Sequence, residues 1–274
     1  MRALTFFNSK GGTGKTTFTV LMASWLAYKK GCPVVVYDCD YPSYQLVKMR
    51  QADKRIIQAD PLSQLARLSS GKKPFGVAKA MGRDTFTQDQ IRFIVGEFRR
   101  QKESADGYML LDFPGRFLPT DPAWHLAKEG LLDLVVFPID TDQQSRSDAY
   151  SVYKKMQGFR REGQPSLFVW NREAPAERRG RRDWYGESTR MFRERGIPVA
   201  GTRMRDILIA RRDATTFGFV RNTLCWPQAN IDKACPYIEN LFEEIKARVD
   251  GTYTEEEESV NGIMLPPNTK ANVK

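Results

Sequence analysis

Asn8-Ser9-Lys10-Gly11-Gly12-Thr13-Gly14-Lys15-Thr16-Thr17 lies between a short apolar run, Leu4-Thr5-Phe6-Phe7, and a segment in which Phe18, Leu21, Met22, Trp25 and Leu26 recur at the spacing of one helix face. A strand, a glycine-rich loop and a helix in that order form a phosphate-binding loop. The match to G-x-x-x-x-G-K-[ST] starts at Ser9, where the usual pattern has glycine, and the glycines stand inside the loop at Gly11, Gly12 and Gly14. The chemistry survives, because a phosphate cradle needs successive backbone N–H groups aimed inward, and glycine brings the backbone close without a Cβ in the way. Gly11, Gly12, Thr13, Gly14, Lys15, Thr16 and Thr17 are the expected cradle. Lys15 reaches the β and γ phosphates, the Thr16 hydroxyl binds Mg²⁺, and the positive end of the following helix adds attraction.

The standard loop leaves Lys10 unexplained. The run Lys10 to Thr17 resembles the deviant Walker A family, K-G-G-x-G-K-[ST]-T, which includes the ParA and Soj partition ATPases, MinD and the nitrogenase iron protein. The resemblance implies that Lys10 reaches across a dimer to the nucleotide of the other subunit.

Two further strand ends fit this frame. Pro33 to Tyr37 reads as a buried strand ending in Asp38-Cys39-Asp40, and carboxylates there face the ligand crevice of an open parallel sheet. In the resembled family the second Asp of such a D-x-D positions the attacking water, which gives that role to Asp40 and places Asp38 nearer the Mg²⁺ shell. This chain departs from the family by one residue inserted before Pro42, in Asp40-Tyr41-Pro42-Ser43. Tyr108 to Asp112 has the form of a Walker B strand, its Asp112 a Mg²⁺ carboxylate, and Asp112-Phe113-Pro114-Gly115 opens a turn that senses the γ-phosphate.

Later in the chain, Leu134 to Ile139 reads as a strand. It is followed by a polar loop in which Asp140 and Asp142 serve a helix cap or, as the resemblance implies, a dimer interface. Ser166 to Arg172 is another strand; by resemblance, Asn171 reads the adenine edge. Gly196 to Gly201 reads as a short last strand, and Ile231 to Val249 as a long amphipathic helix. Residues 43 to 105 look like a variable basic insertion over the switch region, with a loop at Gly71 to Gly76 and a helix around Ile91 to Phe98. Alternating strands and helices with the loop on the first βα turn predict an α/β protein with a doubly wound, mostly parallel P-loop NTPase sheet over residues 1–250. Residues 251–274 form an acidic, proline-broken tail.

Composition bounds the rest. A hydrophobic content of 41% and a charged content of 28% over 274 residues are globular values. No apolar run reaches the roughly 18 residues of a membrane span. The first strand begins at once, so no signal peptide is expected, and the expected location is the cytoplasm, with nucleoid association when ATP is bound. Cys32, Cys39, Cys225 and Cys235 form no C-x-x-C pair and accompany one histidine, His125, which argues against zinc, iron–sulfur or His-based nucleophilic chemistry. The formal net charge of +10 favours an anionic partner beyond the nucleotide. Between Arg172 and Arg221 all thirteen basic residues are arginine, and Arg178, Arg179, Arg181 and Arg182 are the densest cluster, a candidate surface for non-specific DNA phosphates.

The resemblance as a whole implies a Mg-ATPase of ParA type that forms a homodimer on ATP, binds DNA non-specifically and is stimulated by a partner, either ParB-like or part of a transfer complex. The runs Asp38 to Pro42 and Thr223 to Pro227 resemble ParA relatives of conjugative or integrative mobile elements. Two alternatives stand beside it. One is a nucleotide-gated DNA-binding scaffold with negligible hydrolysis; the other is a MinD-like membrane-positioning ATPase, which the acidic tail disfavours.

Overall fold

The computed structural model describes residues 1–59, 73–83, 85–158, 165–172, 184–204, 223–224 and 237–254. Its centre is a six-stranded, all-parallel sheet: β1 (Arg2–Phe6), β2 (Val34–Asp38), β3 (Gly76–Lys79), β4 (Tyr108–Asp112), β5 (Leu134–Ile139) and β6 (Ser166–Trp170), in spatial order β3-β2-β4-β1-β5-β6. β4, β5 and β6 are buried at every residue, and their unbroken apolar runs are those of parallel strands covered on both faces.

Alternate side chains feed two cores. Leu4, Phe6, Val36, Leu110, Val136 and Val169 point to one, with α1 (Lys15–Ser24), α2 (Gln45–Ala59) and α7 (Ile238–Asp250). Ala3, Met109, Leu111, Val135, Phe137, Phe168 and Trp170 point to the other, against α3 (Gln88–Ser104), α4 (Pro122–Lys128), α5 (Gln143–Gln157) and α6 (Trp184–Glu194). This is the doubly wound arrangement expected from the sequence. From β1 the chain moves outward to β2 and β3, returns to β4, then crosses to β5 on the other side, so the crevice lies at the carboxyl end of β1.

Three elements differ from the expectation. α1 is not a one-faced helix: every residue from Phe18 to Ser24 is buried, because α7 closes its far side, with the Trp25 and Phe242 rings 5.8 Å apart. β3 has no clear strand signal, since Gly76-Val77-Ala78-Lys79 carries a single β-branched residue; it forms because β2 offers a free edge, pairing Val35 with Gly76 through Asp38 with Lys79. The expected strand at Gly196 to Gly201 shrinks to one bridge, Phe168 with Val199. Pro198 has no N–H to extend a ladder, and Gly201 N–H donates instead to Glu244.

Helix ends follow local rules. Thr87 and Gln90 close a reciprocal capping box on α3, and Asp142 caps α5 by accepting from Ser145 N–H at 3.1 Å. His125 sits inside α4 with Nε2 2.7 Å from the Pro119 carbonyl, a packing role. Among the described residues, no helix is long and apolar enough to cross a membrane.

Candidate nucleotide site

The loop after β1 is tied down from its first residue. Asn8 is fully buried; its amide donates to the carbonyls of Pro138, at 2.8 Å, and Ser145, at 3.1 Å, while its oxygen accepts Lys10 N–H at 3.0 Å. Gly12 and Gly14 adopt φ of +72° and +99°, conformations that favour glycine, and Gly14 is the left-handed residue preceding α1. No side chain caps that helix and its first turn holds no acidic residue, so its positive end faces the crevice uncompensated. Thr13 is buried, and Thr16 and Thr17 are half-buried in the first turn.

Lys15 extends back over the loop, its Nζ 3.1 Å from the Lys10 carbonyl. Burial holds its pKa below the usual lysine value, although Asp112 and Asp40 oppose that shift. Thr16 Oγ1 donates to Asp112 Oδ2 at 2.8 Å, while Asp112 Oδ1 is buried with no hydrogen-bond partner among the described residues. Burial pushes the Asp112 carboxyl up to about 7; the Thr16 hydroxyl and Lys15 pull it down, and Asp38 and Asp40 push it further up. A buried carboxylate oxygen without a donor, beside a threonine hydroxyl at the head of a phosphate loop, suits a divalent cation. Among the described residues no group of three or more His, Cys, Asp or Glu closes on a metal. Mg²⁺ takes one or two carboxylates and completes its shell with phosphate oxygens and water, a demand that Asp112 beside the Thr16 hydroxyl fits.

Asp38 is fully buried; Oδ2 accepts Val47 N–H at 3.0 Å and Oδ1 accepts Asp40 N–H at 3.3 Å, so its oxygens hold the start of α2 and the D-x-D turn. Asp40 is half-buried on the same crevice wall; its Oδ2 accepts from Ser43 Oγ and its carbonyl accepts Tyr44 N–H at 2.8 Å. The inserted Tyr41 packs edge-on against Tyr44, ring centroids 5.8 Å apart. Gly115, opening the turn after β4, leaves no room for a side chain: a Cβ there would stand 2.6 Å from the Ser9 carbonyl oxygen.

Lys10 points outward. Its Nζ lies 2.7 Å from Asp142 Oδ1, and the two side chains are 31% and 51% exposed. The same Asp142 therefore caps α5 and holds the extra lysine, and those hydrogen bonds, Lys10 first, lower its pKa. Asn171 does meet the loop, but through the backbone: its amide donates to the Thr13 carbonyl at 2.7 Å. Arg172, which nothing in the motif singles out, donates to the Gly12 carbonyl. Asn8 and Arg172 are the site residues missed from sequence, and neither carries a spacing signal. Arg178, Arg179, Arg181 and Arg182 lie outside the described residues.

A phosphate loop on the first βα turn of a parallel sheet, with its lysine and threonine facing an aspartate at the end of β4, defines a P-loop nucleotide-binding protein. Residues 4–115 match the CobQ/CobB/MinD/ParA nucleotide binding domain. Over 117 residues it is 29% identical to an uncharacterized ATP-binding protein of Methanocaldococcus jannaschii, a match covering 42% of this chain and 44% of that protein. The chain thus spans less than half the length of that relative. Among solved structures it resembles the MinC:MinD cell division protein complex of Aquifex aeolicus, with TM-score 0.59, 16% identity and coverage of 90% of this chain and 96% of that one. It also resembles apo McdA of Cyanthece, with TM-score 0.57, 16% identity and coverage of 91% and 99%. The pNOB8 ParA structure gives TM-score 0.52 at 16% identity, with coverage of 94% and 97%. These likenesses show the fold.

Proposed function

We propose that this chain is a Mg-ATPase that pairs face to face when ATP binds, associates with DNA without sequence preference in that state, and serves partition or transfer of a plasmid or other mobile element. The observation that carries this reading is the position of Lys10. It stands on the outer face of the loop, held by a half-exposed aspartate rather than turned into its own cradle. An exposed ion pair of this kind is worth about 0.2–1 kcal/mol, so a partner's triphosphate, with several negative charges, outcompetes Asp142 for the lysine.

In the proposed cycle, Lys15 and the Lys10 of the partner subunit neutralise charge on the transferring phosphoryl group, and Asp40 orients the attacking water. Thr16 and Asp112 would hold Mg²⁺, which when bound neutralises the β and γ oxygens. The arginine cluster supplies the DNA phosphate contacts. The test is solution mass with Mg-ATP, with ADP and without nucleotide, repeated with duplex DNA at two salt concentrations. A dimer with ATP alone is expected; a monomer under saturating Mg-ATP refutes the pairing.

One observation favours a second reading, a nucleotide-gated scaffold with negligible turnover: the Asp40 carboxylate is engaged by Ser43 inside a turn lengthened by Tyr41. Timed phosphate release, with and without DNA, separates the two.

A further inference from the structure

The two residues that follow β6 grip two consecutive carbonyls of the phosphate loop. Asn171 Nδ2 donates to the Thr13 carbonyl at 2.7 Å, and the Arg172 guanidinium donates to the Gly12 carbonyl. A trans peptide is planar, so its C=O and the N–H of the next residue point in opposite directions. Pulling the Gly12 and Thr13 carbonyls toward β6 therefore turns the N–H groups of Thr13 and Gly14 the other way, into the cradle.

The rest of the local structure is built around this grip. Asn171 is fixed by its own N–H, which continues the β5–β6 ladder to the Ile139 carbonyl at 2.7 Å. Its amide lies so near the loop that a Cβ on Gly14 would come within 2.6 Å of Nδ2. Arg172 has φ of +62°, a region few non-glycine residues occupy, and this turns its side chain back over the loop. Its other terminal nitrogen lies 3.9 Å from Asp140 Oδ2, and Asp140 is itself held in the turn before α5, where its Oδ1 accepts Asp142 N–H at 3.0 Å.

We infer that Asn171 and Arg172 are positioning residues that brace the phosphate cradle from behind, so that they govern affinity for the phosphate chain rather than choice of base. This rests on the nucleotide-binding reading above and changes the role expected for Asn171.

The test compares binding of Mg-ATP, Mg-GTP and inorganic tripolyphosphate to the unaltered protein and to Asn171→Ala, Asn171→Asp, Arg172→Ala and Arg172→Lys. Each Ala variant is expected to weaken all three ligands by one common factor, about three- to tenfold for a lost hydrogen bond. Asn171→Asp, which sets a carboxylate against the Thr13 carbonyl, loses more than Asn171→Ala. Arg172→Lys recovers part of the loss, since an ammonium still donates to Gly12. Melting of each ligand-free variant shows that the protein measured is folded. A loss confined to ATP with tripolyphosphate binding unchanged makes Asn171 a base reader and overturns the inference, as do unchanged affinities throughout. Failure of the unaltered protein to bind any of the three ligands sinks the nucleotide-binding reading, and the brace with it.

Discussion

Replacing Asp112 with asparagine separates the stability of the empty site from its function. The carboxyl is 1% exposed and its pKa is raised from 3.8 to about 7, mainly by burial. An acid with a raised folded pKa adds no cost below its unfolded value; the cost grows as pH rises between the two values and is complete above the folded one. Three units correspond to about 4 kcal/mol above pH 7, and to roughly 1–2 kcal/mol at pH 5. Asparagine removes that pH-dependent cost and its oxygen still accepts from Thr16. It places an amide where Asp112 Oδ1 has no partner among the described residues, which costs about 1–3 kcal/mol. The nucleotide-free Asp112→Asn protein is therefore expected to be more stable than the parent at pH 8 by about 1–3 kcal/mol, a rise of several degrees in melting temperature at roughly 2–4 °C per kcal/mol. At pH 5 the advantage disappears. Thermal melts in chelator across pH 5 to 8 measure the first effect. Melts with Mg-ATP measure the second, a large stabilisation of the parent that the variant lacks. A difference between the two proteins that stays constant across the pH range refutes the account of the buried carboxylate.

Lys15→Ala removes the half-buried ammonium over the loop and is expected to abolish nucleotide binding or turnover, read by titration and phosphate release. Asp40→Ala is expected to trap an ATP-bound dimer; hydrolysis at the parent rate would take Asp40 out of the mechanism. Gly115→Ala drives a Cβ to 2.6 Å from the Ser9 carbonyl, a backbone atom that cannot swing aside, and is expected to cost about 1–3 kcal/mol in melting stability and to weaken ATP binding. Changing Arg178, Arg179, Arg181 and Arg182 together to alanine should weaken duplex DNA binding and flatten its dependence on salt by up to about four in the log–log slope; an unchanged slope places the DNA surface elsewhere.

The parts of the fold and site legible in the sequence are those written in consecutive residues. The cradle from Lys10 to Thr17 declares itself because it is made of backbone N–H groups, and glycine spacing encodes backbone conformation directly. β1, β4 and β5 declare themselves as apolar runs, and Asp112 is found because a Walker B carboxylate ends such a run. Chain order then limits the topology to a doubly wound sheet, since parallel strands need helical crossovers.

Tertiary structure alone decided the remainder, because those interactions join residues far apart in the chain and use groups every residue has or many residues share. β3 exists through the open edge of β2, not through its own composition. Asp38 stands in the motif, and only the fold shows that its oxygens accept from the N–H groups of Val47 and Asp40. Asn8, Asn171 and Arg172 hold the loop through carbonyls of Pro138, Thr13 and Gly12, partners about 130 to 160 positions away that no spacing rule connects. The loop's sequence makes the phosphate-binding conformation accessible; the packing of β5, β6 and α5 behind it selects that conformation from the others glycine allows.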